Sequence, residues 1–276
     1  MKQFSQAHER ILLALAQYKY LTVSQFTELG IMKDKRNVSK KVKELKDNGF
    51  IKSIAYGFVP KIGRVENVNF LTPKAKKTII EGLDSELTIK IPIGRANLFF
   101  KDYFHRTSTI DFQIHLTKRA EANEHHVLFF DTYFDKTGNN RKEKNLRAKT
   151  KIDIKEGYMI PDAVFMLESA KLTQSLYLVE VYNGKDTART IKQITKHTQA
   201  VELGSVNEQY RFMEAYRILC VFEHQSMMEA VIGKMAEDQY FSYMKDHFYF
   251  KTLASIHHSN FMEQRRQFDR QLTKII

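Results

Sequence analysis

The chain has no tryptophan, one cysteine and four prolines in 276 residues. A single cysteine excludes a disulfide framework and a thiolate zinc site. Cys220 lies in the apolar run Ile218-Leu219-Cys220-Val221-Phe222, where the expected role is that of a small buried hydrophobe. No apolar run approaches the ~20 residues of a membrane span. The opening Met1-Lys2-Gln3-Phe4-Ser5 lacks the apolar core of a signal peptide. Acid is the scarcer charge, 32 Asp and Glu against 44 Lys and Arg, and the net charge of +12 points to a polyanionic partner, most simply nucleic acid. No low-complexity tract is present, and hydrophobic content of 43% with aromatic content of 12% argues for a folded protein. The length leaves room for two modest domains. These readings describe a soluble, cytoplasmic, DNA- or RNA-directed protein without membrane insertion.

Residues 1–85 read as a DNA-binding module. Gln6 to Gln17 carries Ile11, Leu12 and Leu15 at helical spacing. Thr22 caps a short second helix, with Gln25 in capping-box position, and Gly30 ends it. A third helix is expected at about 37–48, with Val38, Val42 and Leu45 as its buried stripe and Lys35, Arg36, Asn37, Ser39, Lys40, Lys43 and Lys46 on the other face. Strand-like runs follow at 51–59 and 65–71, joined through Pro60-Lys61-Ile62-Gly63-Arg64, and Thr72-Pro73 opens a fourth helix. This is the order of a winged helix-turn-helix, which lays its third helix in the major groove. Lys40 and Lys43 suit phosphates or guanine edges, Asn37 and Ser39 suit bases, and Lys61 and Arg64 form a wing tip. The alternative is a solvated basic face on a protein-binding winged helix.

A polar stretch at 86–97 reads as a linker to a second domain at 98–276. A long helix is expected over 100–122, followed by a strand at 127–130 and a basic loop carrying Arg141, Lys142, Lys144, Arg147, Lys149 and Lys151. Two strand-length runs come next, one from Met159 to Leu167 and one from Leu176 to Gly184. Each holds one acid in an otherwise apolar context, Asp162 and Glu180. Paired as an antiparallel hairpin, the runs let the carboxylates converge at one end of a sheet. Two such acids invite Mg²⁺ or Mn²⁺, the chemistry of phosphodiester hydrolysis. The alternative is two separate acids, each satisfied by backbone N–H groups or solvent.

A helix is expected from about Lys185, with Lys185, Arg189, Lys192 and Lys196 on one face that suits either the lining of a DNA channel or plain solvation, followed by a strand at 217–222 and a helix at 225–240. A last strand at 248–253 and a terminal helix from Asn260 complete the reading. Asp111 and His115 share a helix face, where a surface pair explains them as well as catalysis does. His125-His126 and His257-His258 have no acid or cysteine at ligand spacing and read as surface pairs.

The order helix, three strands, helix, strand, with Pro161-Asp162 and Glu180-Val181-Tyr182 on the second and third strands, resembles the PD-(D/E)XK nuclease fold, with tyrosine where the motif has lysine. Joined to a winged helix, with an Ile-Pro-Asp-Ala-Val-Phe strand and a Leu-Val-Glu-Val strand ending in Asn-Gly, the chain resembles the replication-relaxation family, which includes MobC-type plasmid relaxases. The resemblance implies an α/β (α+β overall) fold, an N-terminal winged helix followed by an αβββαβ core. It also implies a metal-dependent endonuclease, a nickase acting in plasmid mobilisation and conjugation. Double-stranded DNA at a transfer origin and other relaxosome proteins would be its partners. Carried over, Asp162 and Glu180 become the metal ligands. His105 or Asp111 would add a ligand or position water, and Lys185, then Arg189, would replace the motif lysine. Tyr182 is an alternative covalent nucleophile. The competing expectation is a non-catalytic winged-helix regulator of plasmid replication or transfer with a degenerate core.

Overall fold

The computed structural model describes residues 4–83, 89, 91–92, 102–138 and 146–258. The chain divides into two compact units, Met1–Ile114 and His115–Ile276. The first opens with α1 (Gln6–Tyr18), α2 (Val23–Glu28) and α3 (Lys35–Asp47). Four short strands follow: β1 (Ile51–Ile54), β2 (Phe58–Val59), β3 (Gly63–Arg64) and β4 (Val68–Leu71), then α4 (Pro73–Gly82). Thr22 and Gln25 form the expected capping box, and Thr72 caps α4 ahead of Pro73. Helix α3 starts two residues earlier than its apolar stripe suggests. The Asp34 carboxylate accepts the Arg36 and Asn37 N–H groups at 2.6 and 3.1 Å, which fixes the first turn there. Ile11, Leu12, Leu15, Phe26, Val38, Leu45, Ile51 and Leu71 are buried together in the core of this unit.

The first strand-like run of this unit breaks in two, the second shortens to β4, and β3 forms within the segment expected to join them. β1 pairs antiparallel with β4, while β2 and β3 form a separate ribbon. Gly57, at φ +106, makes the break, a conformation that side chains with a Cβ rarely adopt.

The division between the units falls inside α5 (Tyr103–Ala122). Its first half belongs with the first unit because the Tyr103 hydroxyl donates to the Glu66 carbonyl and Gln25 Nε2 donates to Asp111. The expected linker at 86–97 lies mostly outside the described residues, as does the terminal helix from Asn260.

In the second unit β5 (His126–Thr132) leads to two short ribbons. One pairs β6 (Lys136–Thr137) with β7 (Arg147–Ala148), and the other pairs β8 (Ile152–Ile154) with β9 (Gly157–Met159). Then come β10 (Ala163–Glu168), β11 (Gln174–Tyr182), α6 (Thr187–Leu203) and α7 (Ser205–Tyr210). The chain continues through β12 (Arg217–Phe222), α8 (Gln225–Ala236), α9 (Gln239–Met244), β13 (Phe248–Thr252) and α10 (Leu253–His258). The helix expected over 225–240 is two helices, because Asp238 accepts the Tyr240 and Phe241 N–H groups and starts α9 afresh.

The mixed α/β architecture expected from the sequence is present as a five-stranded sheet in the order β13-β12-β11-β10-β5. β10 pairs antiparallel with both β5 and β11, whereas β11, β12 and β13 run parallel. Leu176, Leu178, Ile218, Cys220, Phe222, Phe248 and Phe250 pack with Ile194, Ala200, Val231 and Met235 from α6 and α8. Phe222 is wholly buried, and a side chain of that size contributes roughly 1.5–3 kcal/mol. Cys220, fully buried in this cluster, occupies the place its apolar run indicated. No helix among the described residues is long and apolar enough to cross a membrane.

Candidate functional sites

The outward face of α3 carries Lys35, Arg36, Asn37, Ser39, Lys40, Lys43 and Lys46, all exposed, opposite buried Val38, Val42 and Leu45. Lys35, Arg36 and Ser39 line an open groove with Arg64, Val65, Glu66 and Asn67. The helix and the β2–β3 ribbon therefore bound one basic cleft.

One acid lies inside that cleft. Burial opposes charge on Glu66, but hydrogen bonds from the Ser24 hydroxyl and N–H, with Lys35 nearby, hold its carboxyl below the usual range. Lys35 reaches Glu66 at 3.7 Å and the Ser24 hydroxyl at 2.6 Å. It is thus partly neutralised, and Arg36, Lys40 and Lys43 carry more of the outward field.

At the ribbon tip the Ile62 N–H donates to the Val59 carbonyl at 3.1 Å, with Pro60 and Lys61 between them. Lys61 sits at φ +69, where this turn favours glycine or asparagine. The strain holds an exposed cation at the apex.

In the second unit, β10 and β11 form the antiparallel hairpin, with Ala163 opposite Val179. One step beyond that register Asp162 comes opposite Glu180, at the end of the hairpin where β11 runs on to Tyr182. Both acids are buried, at 6% and 5% exposure. One Asp162 oxygen accepts the Val181 N–H at 2.7 Å, and Glu180 Oε1 lies 2.6 Å from His197 Nε2.

His197 was not singled out from the sequence. On α6, Thr190, Ile194 and His197 form a buried helical stripe, so the available signal was a histidine on an otherwise apolar face. Burial pushes its pKa down to about 4, against a weaker upward pull from Asp162. The imidazole is therefore neutral at pH 7, and Nε2–H donates to the Glu180 carboxylate. That leaves the Nδ1 lone pair buried, with no hydrogen-bond partner among the described residues.

Tyr182 follows on the same strand face, as alternation requires. Its hydroxyl is wholly buried, with the Cys220 side chain as its hydrogen-bonding neighbour. Burial, then Cys220, Glu180 and Asp162, push its pKa well up. A phenol so placed is a poor source of phenolate at neutral pH.

The other candidates are distributed as follows. Lys185 and Arg189 are exposed, and α6 starts at Thr187 because the Asp186 carboxylate accepts the Arg189 N–H at 2.9 Å. Lys185 thus precedes the helix instead of opening it. Lys192 is exposed on α6, and Lys196 donates to the Tyr158 carbonyl. Asp111 takes the Gln25 side-chain N–H at 2.8 Å within the first unit, and His105 lies on α5, half-buried. Of the basic loop, 141–145 lie outside the described residues. Lys149 binds buried Asp131 at 2.7 Å, and Lys151 binds Asp153 at 2.6 Å. Asp131 went unnoticed in the sequence because β5 runs two residues further than its apolar run.

Among the described residues no three His, Cys, Asp or Glu side chains are grouped as metal ligands. What the hairpin end and α6 assemble is a buried set of two carboxylates and a neutral imidazole. Such a set can hold a proton, or supply oxygen and nitrogen donors. No protein-family model, curated protein or solved structure matches this chain.

Proposed function

We propose that the protein binds duplex DNA through its first unit, with α3 in the major groove and the β2–β3 ribbon as the wing of a winged helix-turn-helix. The observation that carries this reading is the shared cleft of Lys35, Arg36, Ser39 and Arg64. On this reading Asn37 and Ser39 would meet base edges, and Lys40, Lys43, Lys61 and Arg64 would meet phosphates.

Each phosphate neutralised releases counterions, so the logarithm of affinity falls with the logarithm of salt in proportion to the contacts made. Lys40→Ala with Lys43→Ala should lower that slope by about 2 on a generic duplex of about 30 base pairs. Fluorescence anisotropy across a salt series reads it. An unchanged slope would move the binding surface elsewhere.

A second reading is favoured by Asp162 and Glu180 meeting beside His197. The order α5, β5, β10, β11, α6, β12 supports a PD-(D/E)XK-like core, and the activity would then be metal-dependent nicking of one strand, as in a plasmid relaxase at a transfer origin. Mg²⁺ commonly uses one or two protein carboxylates with water and phosphate oxygens. Asp162 and Glu180 are the residues that would hold it, and the same oxygen donors suit Mn²⁺ as well. Bound there, the ion would lower the pKa of water and neutralise phosphate charge. Lys185, then Arg189, would take the charge-stabilising part, and the raised pKa of Tyr182 weighs against a covalent tyrosine step.

Supercoiled plasmid carrying a site selected from random duplexes should be relaxed with either metal, and Asp162→Ala or Glu180→Ala should abolish this while sparing DNA binding. A parent protein that binds its site but never relaxes the plasmid would identify a regulator with a degenerate core. The tyrosine in place of lysine already leans that way.

A further inference from the structure

The β2–β3 ribbon has a chemistry that phosphate contacts leave unexplained. Phe58 is 74% exposed and Ile62 is 65% exposed, in a unit whose other large apolar side chains are mostly buried. The ribbon register sets Phe58 directly opposite Arg64, so both project from one side of the hairpin. Arg64 lines the cleft with Lys35, Arg36 and Ser39. The aromatic ring is therefore held beside the cations that would face nucleic acid, and Ile62 is the next residue after the strained, exposed Lys61. An apolar pair ringed by positive charge is ill suited to solvent and complementary to a polyanion with an apolar interior.

We propose that Phe58 and Ile62 form a wedge that enters the minor groove of bound duplex DNA beside Arg64 and Lys61, where it unstacks a base step and bends the helix. Apolar wedges flanked by basic side chains act this way in architectural DNA-binding proteins. The inference rests on the DNA-binding reading of the first unit and adds a second kind of contact to it, one that salt does not screen.

The absence of tryptophan makes a direct test available. Phe58→Trp introduces a single indole, which a duplex of about 30 base pairs should shift to the blue and quench at saturation. Phe58→Ala with Ile62→Ala should weaken binding by about tenfold with an unchanged salt slope. It should also abolish the shortening of end-to-end distance seen by energy transfer on a doubly labelled duplex.

An indole that stays water-exposed at saturating DNA, or a double variant that binds and bends like the parent, overturns the wedge while Lys40→Ala and Lys43→Ala still report on α3. A blue shift that grows with protein concentration in the absence of DNA overturns it in favour of self-association. A parent that binds no duplex removes both the wedge and the reading beneath it.

Discussion

Replacing His197 with glutamine separates the hydrogen bond it makes from the proton it can take up. The glutamine Nε2 occupies nearly the position of the imidazole Nε2, so donation to Glu180, 2.6 Å away in the parent, can persist. Only titration is lost. The parent imidazole has its pKa lowered from 6.5 to about 4 by burial. Folding therefore favours the neutral ring, and the unfolded chain binds the extra proton. The stabilisation is fully present above pH 6.5 and is lost as the pH falls through 4. Between those limits the difference amounts to about 3 kcal/mol, at about 1.4 kcal/mol per pH unit. His197 is 1% exposed, so solvent screening removes little of it. Urea unfolding of parent and His197→Gln, followed by circular dichroism from neutral pH down to about 4.5, measures the effect. The parent should lose about 2–3 kcal/mol more than the variant over that range. Parallel losses would mean that the ring is solvated or already paired as an imidazolium, and the neutral buried donor would have to be abandoned.

Other substitutions probe the same end of the sheet. Asp162→Ala strips the acceptor from the Val181 N–H, bonded at 2.7 Å, and should lower stability by about 1–3 kcal/mol in urea unfolding. A parent-like midpoint would show that another group takes over that N–H. Lys149→Ala removes the cation from buried Asp131; with the Lys149 side chain 46% exposed, about 1 kcal/mol is expected. Adding Asp131→Asn should recover most of that loss in a double-mutant cycle, and additive losses would rule out a direct coupling.

The elements that bury one clear stripe were legible in the sequence. Val38, Val42 and Leu45 marked the inner face of α3, and capping residues at Thr22 and Thr72 marked two helix starts. The continuous apolar runs around Phe165 and Leu178 marked the hairpin that holds both acids. What escaped depended on contacts between distant segments. His197 meets Glu180 only because α6 packs back across β11, and a histidine on an apolar stripe carries no local sign of its partner. The split of residues 51–71 into two ribbons follows from the backbone of Gly57, which looks like an ordinary strand interruption until the pairing is known. The ribbons between β5 and β10 are two or three residues per strand, too short for any periodicity to register.

β11 is zipped on one side to a neighbour that precedes it by a tight turn, and on the other to one that arrives only after two intervening helices. Loop-closure entropy makes the first pairing the quicker to form and the second the slower. During assembly, then, Glu180 can be held in place on a half-built sheet while still hydrated. His197 lies only 17 residues along the chain from Glu180, about as near as the hairpin partner, so α6 can bring the imidazole as the acid loses its water.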